Sequence, residues 1–271
     1  PEIAGARFRM AGTLRDGRLE ITNLETDGKR GRLTGTLSAE PAGPAESAYA
    51  IRLDLEGRNL YIARPDETEA VLAVRPAYDM TAKLKARGAD LRTLADTLTG
   101  RIRVDVRAGE IIRRENLLST LVFEDTLTRI LETINPLIGK RDDLQLNCLV
   151  VRLDLEDGTA RGDPLFALQT GDANLLARGR IDLGSETLDL DILAQPRRGL
   201  GISLGDLINP FTRVGGTLAS PRIVADPKSA VLEIGAGFAT GGLWPLGKKL
   251  LQRLRDSDAC ARAMEEGLTD N

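Results

Sequence analysis

The sequence predicts a mainly β chain: a long antiparallel meander with one apolar face, two or three accessory helices and a helical C-terminal tail. Three observations carry this expectation. Apolar residues recur at every second position with charged residues between them, which is the pattern of a half-buried strand. The runs are joined by tight-turn pairs, of which Asp16-Gly17, Asp27-Gly28, Asp157-Gly158, Gly171-Asp172 and Gly184-Ser185 are the clearest. Helical periodicity interrupts the alternation at two places before residue 229.

In chain order, residues 1–86 alternate loosely and include the segment GRLTGTLSA. Tyr49, Ile51, Leu53 and Leu55 then alternate with Arg52, Asp54 and Glu56, and Tyr78, Met80, Ala82 and Leu84 with Asp79, Thr81, Lys83 and Lys85. Asp90 caps a short helix near 90–99, with Leu91, Leu94, Ala95 and Leu98 on one face and Gly100 as its stop. Ile102, Val104 and Val106 form the next strand, between Arg101, Arg103, Asp105 and Arg107. A second helix is expected over 117–135, opened by Asn116 or Ser119. It carries Leu117, Leu121, Leu127, Ile130, Leu131 and Ile134 in a stripe and ends at Asn135-Pro136. Both helices read as core-sealing elements, not cofactor boxes.

Alternation returns with Leu149, Val151, Leu153 and Leu155 between Arg152, Asp154 and Glu156. Leu175, Ala177, Ile181 and Leu183 follow, between Arg178, Arg180 and Asp182, and then Leu188, Leu190 and Ile192 around Asp189 and Asp191. Residues 196–213 are rich in Gly and Pro and read as a loop with one helical turn. Strands resume at 214–218 and 222–225, and Asp226-Pro227 opens the tail as a cap followed by proline.

Composition removes several function classes. The 271 residues are 42% hydrophobic and 28% charged, which describes a globular chain. A net charge of −3 argues against a nucleic-acid binder, and 3% aromatics leaves few stacking platforms for bases or sugars. There is no histidine, so a Ser-His or Cys-His nucleophile is excluded. Asp154, Glu156, Asp157 and Gly158 depart from calcium-loop spacing and read as a solvated strand face with a turn. No phosphate-cradling glycine motif is present, and Gly199-Leu200-Gly201 lies in the loop. Carboxylates fall on the polar faces, not in a catalytic constellation, so no enzyme, metal or cofactor is expected. Cys148 and Cys260 stand outside any CxxC pattern. They read either as two buried thiols or as a disulfide in an oxidising compartment. A chain that begins at Pro1 is expected to be an excised or processed segment, and no signal peptide is visible.

Alternation shows that one face is apolar and leaves open what covers it. A closed sandwich is one solution. The other is a sheet bent into a trough whose apolar lining is filled by acyl chains, each buried methylene contributing roughly 0.8 kcal/mol. The candidate lining is Leu149, Val151, Leu153, Leu155, Leu175, Ala177, Ile181, Leu183, Leu188, Leu190 and Ile192. The same residues equally describe an ordinary dry core.

Five stretches decide for the trough: ARGADLRTLADTLTGRIRVDVRAGEI, LQLNCLVVRLDLEDGTARGDPLFALQT, LLARGRIDLGSETLDLDILAQP, VGGTLASPRI and ATGGLWPLGKKLLQRLRDSDAC. In this order they resemble the C-terminal region of AsmA-like (bridge-like lipid transfer) proteins of Gram-negative envelopes. The resemblance implies an open β-groove, a place in the periplasm as part of a longer inner-membrane-anchored protein, and a role in moving phospholipid between the inner and outer membranes. It implies that Cys148 and Cys260 pair, and it brings no catalytic residues. The expected division is a groove segment over 1–86, an AsmA-like C-terminal groove over 87–228 and a helical, partly apolar tail over 229–271. In that tail, residues 229–247 carry a single charge, Glu233, and Gly237 and Gly241 give a GxxxG spacing. Trp244, Lys248, Lys249, Arg253 and Arg255 are candidate membrane contacts, against a tail that simply caps the end of the groove. The competing function is a structural scaffold in outer-membrane assembly, with a closed core and no lipid.

Overall fold

The computed structural model describes residues 6–28, 31–43, 48–61, 76–112, 143–171, 173–196, 211–224 and 260. The described residues form one open antiparallel sheet of thirteen strands. Its strands are β1 (Ala6–Arg15), β2 (Arg18–Gly28), β3 (Gly31–Pro41), β4 (Tyr49–Leu60), β5 (Tyr78–Gly88), β6 (Thr99–Val106), β7 (Gly109–Ile112), β8 (Asp143–Glu156), β9 (Thr159–Thr170), β10 (Ala173–Asp182), β11 (Thr187–Pro196), β12 (Phe211–Thr217) and β13 (Pro221–Val224). Each strand lies beside its neighbour in sequence, except that β6 and β7 both pair with β8. Val106 opposite Leu149 and Gly109 opposite Leu146 keep one register, so β6 and β7 lie in line along a single edge of β8. Only Arg107 and Ala108 break that line, and the Arg107 amide donates to the Ala77 carbonyl at 2.8 Å.

Antiparallel order sorts the connections to two ends. The short turns at 16–17, 157–158, 183–186 and 218–220 share one end with the β5–β6 link. The long connections 61–77, 113–142 and 197–210 leave from the other. At the turn end, backbone bonds tie successive links together. The Gly158 amide donates to Leu98, that of Leu183 to Gly158 and that of Leu218 to Glu186, at 2.8 to 2.9 Å.

One helix has its full span described, α1 (Leu91–Asp96), with Asp90 as its cap, and Cys260, the one described residue of the tail, is also helical. The Asp90 carboxylate accepts from the Thr93 amide at 2.8 Å, and the Thr93 hydroxyl accepts from the Asp90 amide. Gly100 does not stop this helix. It is already in β6, while Thr97 forms the C-cap, its hydroxyl donating to the Arg87 carbonyl at 2.7 Å. Gly100 serves a different need: at φ +141°, a Cβ there would strike the Lys83 carbonyl. The further accessory helices therefore find no support in the described residues. Residues 117–135 and the tail, apart from Cys260, lie outside them.

Three strand expectations change. β9 was not legible as alternation, because Gly162, Asp163 and Pro164 interrupt it and the β8–β9 register slips between Val151 and Asp154. Asp27 and Gly28 do not form the turn expected there: both still lie in β2, paired with Arg32 and Gly31. β12 begins at Phe211, inside the stretch read as loop.

A cluster of buried aliphatic residues lies on one face, centred on β8 to β12. The expectation of one wet face fails locally. On the opposite face Val150, Ala167 and Cys260 are buried together, with Cys148 and Leu176 packed against them. Cys148 and Cys260 are joined by a disulfide, which fixes Cys260 over β8 and β9.

Candidate functional site: the apolar face of the sheet

Register turns the alternation into continuous rows. Residues directly opposite across a ladder share a face. One row passes from Phe8 to Thr26, Leu33, Gly57 and Met80. It continues through Val104, Val151, Phe166, Ala177 and Ile192. A parallel row passes from Gly12 to Ile21, Leu37, Leu53, Leu84 and Gly100, and then to Leu155, Ala160, Ile181 and Leu188. The apolar face thus extends over β1 to β11 without a charged residue in either row.

The predicted lining residues come together on this face. Leu155, Leu175, Ala177, Ile181, Leu188, Leu190 and Ile192 are buried in one cluster, and Leu149, Leu153 and Leu183 pack against it. Val151 is half-buried, in the row between Val104 and Phe166. The same cluster holds Leu146, Ala160, Leu165, Leu168 and Val214, which sequence reading missed. Leu165 and Leu168 follow the Asp163-Pro164 interruption, and Leu146 precedes the run that was recognised. Leu98, Leu183 and Leu218, the residues tied to the turn-end backbone bonds, also pack against the cluster.

Burial falls toward β1. Leu175 is 1% and Ile192 1% exposed, whereas Phe8, Met10 and Leu14 are 58%, 60% and 72% exposed. Between these extremes a cavity of about 310 Å³ lies under α1. It is lined by Ile51, Leu53, Leu84, Ala86, Leu91, Leu94, Ala95 and Leu98, with Lys85. The expected apolar stripe of the helix therefore faces the sheet across a gap, and Leu91 remains 85% exposed. Aliphatic walls with almost no polar group hold a ligand by area alone and do not fix its position along the face.

The opposite face is charged, and its ion pairs join neighbouring strands. Arg9 meets Glu25, Lys83 meets Asp54, and Arg101 and Arg103 both meet Asp154. Arg103 and Arg152 stand opposite each other in register; Arg152 turns to Asp105 at 2.6 Å, as Arg103 does to Asp154 at 2.7 Å. Hydrogen bonds from Arg213, with its charge beside them, hold the Asp189 carboxyl below the usual carboxylate range. The Ser185 hydroxyl and amide do the same for Asp182. These contacts join neighbouring strands, or close a turn, on the charged side of the described sheet.

Trp244, Lys248, Lys249, Arg253 and Arg255 lie outside the described residues. No helix among the described residues is long and apolar enough to cross a membrane. Compared with protein-family models, curated proteins and solved structures, the chain matches none.

Proposed function

We propose that this chain is a periplasmic lipid-binding groove, the open sheet bending around its apolar face to shield phospholipid acyl chains as they pass between inner and outer membranes. The observation that supports it is the unbroken apolar surface running across successive strands, together with its exposure at the β1 end. An exposed aliphatic surface of this extent is unfavourable in water, and covering it with acyl chains returns roughly 25 cal/mol for each Å² buried. The Cys148–Cys260 disulfide accords with an oxidising compartment. The tail, through Trp244, Lys248, Lys249, Arg253 and Arg255, is the proposed contact with an anionic membrane surface.

A second reading is supported by the tight burial around Leu175, Ala177 and Ile192. There the face is already a dry core, as a structural scaffold of outer-membrane assembly would have. Native mass spectrometry of the oxidised chain, with solvent extraction of whatever is bound, separates the two. The groove predicts at least one phospholipid per chain, lost in the variants Leu53→Asp and Leu153→Asp while circular dichroism stays unchanged. A stable, monodisperse chain that carries no lipid and takes none from phosphatidylglycerol vesicles decides for the scaffold.

A further inference from the structure

α1 is held by its backbone and its caps more than by packing. None of its residues is buried. A helix this short is marginal in water and ordinarily settles its apolar stripe on a neighbour. Other contacts fix this one. The Thr97 hydroxyl donates to the Arg87 carbonyl at 2.7 Å and accepts from the Arg87 amide at 2.8 Å. The Thr93 hydroxyl accepts from the Ala89 amide at 3.0 Å. Two glycines let the helix come close: a Cβ at Gly88 would strike Thr93 and Leu94, and one at Gly184 would strike Asp96.

Anchored toward the β8–β9 and β10–β11 turns, α1 overhangs β4 and β5 and leaves the cavity of about 310 Å³. Ile51, Leu53, Leu84 and Ala86 form its floor, and Leu91, Leu94, Ala95 and Leu98 its roof. Leu53 and Leu84 belong to the row that also passes through Leu37, so the cavity is a roofed stretch of the apolar face. Packed interiors leave few voids larger than a water molecule, and this space is far larger.

The walls select the occupant. They are aliphatic, and Lys85 lies opposite Arg52 on the charged side. An extended peptide would bring amides and carbonyls that nothing there can pair. A single turn of helix, about 10 Å across and 5.4 Å long, already exceeds 310 Å³. A sugar or a headgroup would lose its hydrogen bonds to water without replacement. A hydrocarbon chain meets none of these objections.

We propose, resting on the lipid-groove reading above, that the roofed space under α1 seats one acyl chain of a phospholipid. On the open rows a chain is covered from one side. Under α1 it is covered from both, so more of its surface leaves water there and the chain resides there in preference.

The test uses the full oxidised chain loaded with phosphatidylglycerol that carries a photoactivatable diazirine on one acyl chain. Irradiation and peptide mass spectrometry should place the label chiefly on residues 51–53, 84–86 and 91–98. Ala86→Phe fills the space from its floor. It should lower that label at least about tenfold, the effect of excluding about two methylenes, with circular dichroism as in the parent. Bound lipid whose label falls evenly along the rows, or on strands away from α1, overturns the seat and leaves the groove standing. Label under α1 that Ala86→Phe does not lower also overturns the seat. A chain that takes up no lipid by native mass spectrometry overturns the seat and the groove together. Should Ala86→Phe fail to fold, the label map on the parent chain decides alone.

Discussion

Asp189 and Arg213 show what single residues contribute. They sit on adjacent strands, β11 and β12, and Arg213 donates to both carboxylate oxygens at 2.8 and 3.0 Å. The Asp189 carboxyl is held below its ordinary value by these bonds first and by the charge second. Its folded pKa is depressed, so the stabilisation is present above the unfolded carboxylate pKa of about 3.9 and is lost as pH falls through the lower folded value. Both side chains are partly exposed, at 48% and 39%, so screening leaves a contribution of about 0.2–1 kcal/mol. Thermal melts of the parent and Asp189→Asn should differ by that amount at neutral pH and converge as pH falls through the lowered folded value of Asp189. A gap that does not narrow as the carboxylate is protonated would mean that packing, not ionisation, is what Asp189 supplies. The residue pattern alone placed Asp189 on the polar side of a strand. Its partner was hidden because β12 begins within a stretch that read as loop.

At the scale of elements, the turn end shows how short links become a shared structure. Gly158 is at φ +72°, and a Cβ there would lie 2.6 Å from the Ala95 carbonyl oxygen and 2.8 Å from that of Asp96. One glycine therefore forms the β8–β9 turn and lets α1 settle against it. Gly158→Ala should cost about 1–3 kcal/mol in urea unfolding, from backbone strain together with displacement of α1. Hydrogen exchange should rise at the amides of residue 158 and Leu183, which donate to Leu98 and to residue 158 respectively. A variant as stable as the parent would show that the helix gives way without cost. The Asp157-Gly158 pair was legible as a turn, and Asp90 as a cap, because both act through their own neighbours. The docking of one on the other was not legible, since 62 residues of chain separate Asp96 from Gly158.

For the molecule as a whole, the disulfide is the longest-range constraint described. It joins residues 112 apart and holds Cys260 against Val150 and Ala167, on the face away from the aliphatic cluster. Closing a loop of that length restricts the unfolded chain strongly, by about 4–5 kcal/mol in the chain-entropy model. Replacing both cysteines by serine should lower the unfolding free energy by about 2–5 kcal/mol. It should also raise exchange at Val150, Ala167 and Leu176. Faster exchange confined to the tail, with unchanged global stability, would instead make the bridge a tether that the sheet does not need.

The sequence by itself determined the strands whose alternation is unbroken, the turns at Asp16-Gly17, Asp157-Gly158 and Gly184-Ser185, and the side on which each recognised aliphatic residue falls. These follow from a period of two along the chain and from glycine or aspartate at turns, both local properties. The tertiary structure decided the rest. Register slips at Ile21 to Leu24 and at Val151 to Asp154 determine which residues share a row. Pairing with β8 and β10 makes a strand of β9 despite Pro164. Cys260, brought back over 112 residues, turns Val150 and Ala167 from a wet face into a second buried patch. Alternation gives the two faces of a strand; only the arrangement of distant segments decides which of them meets water.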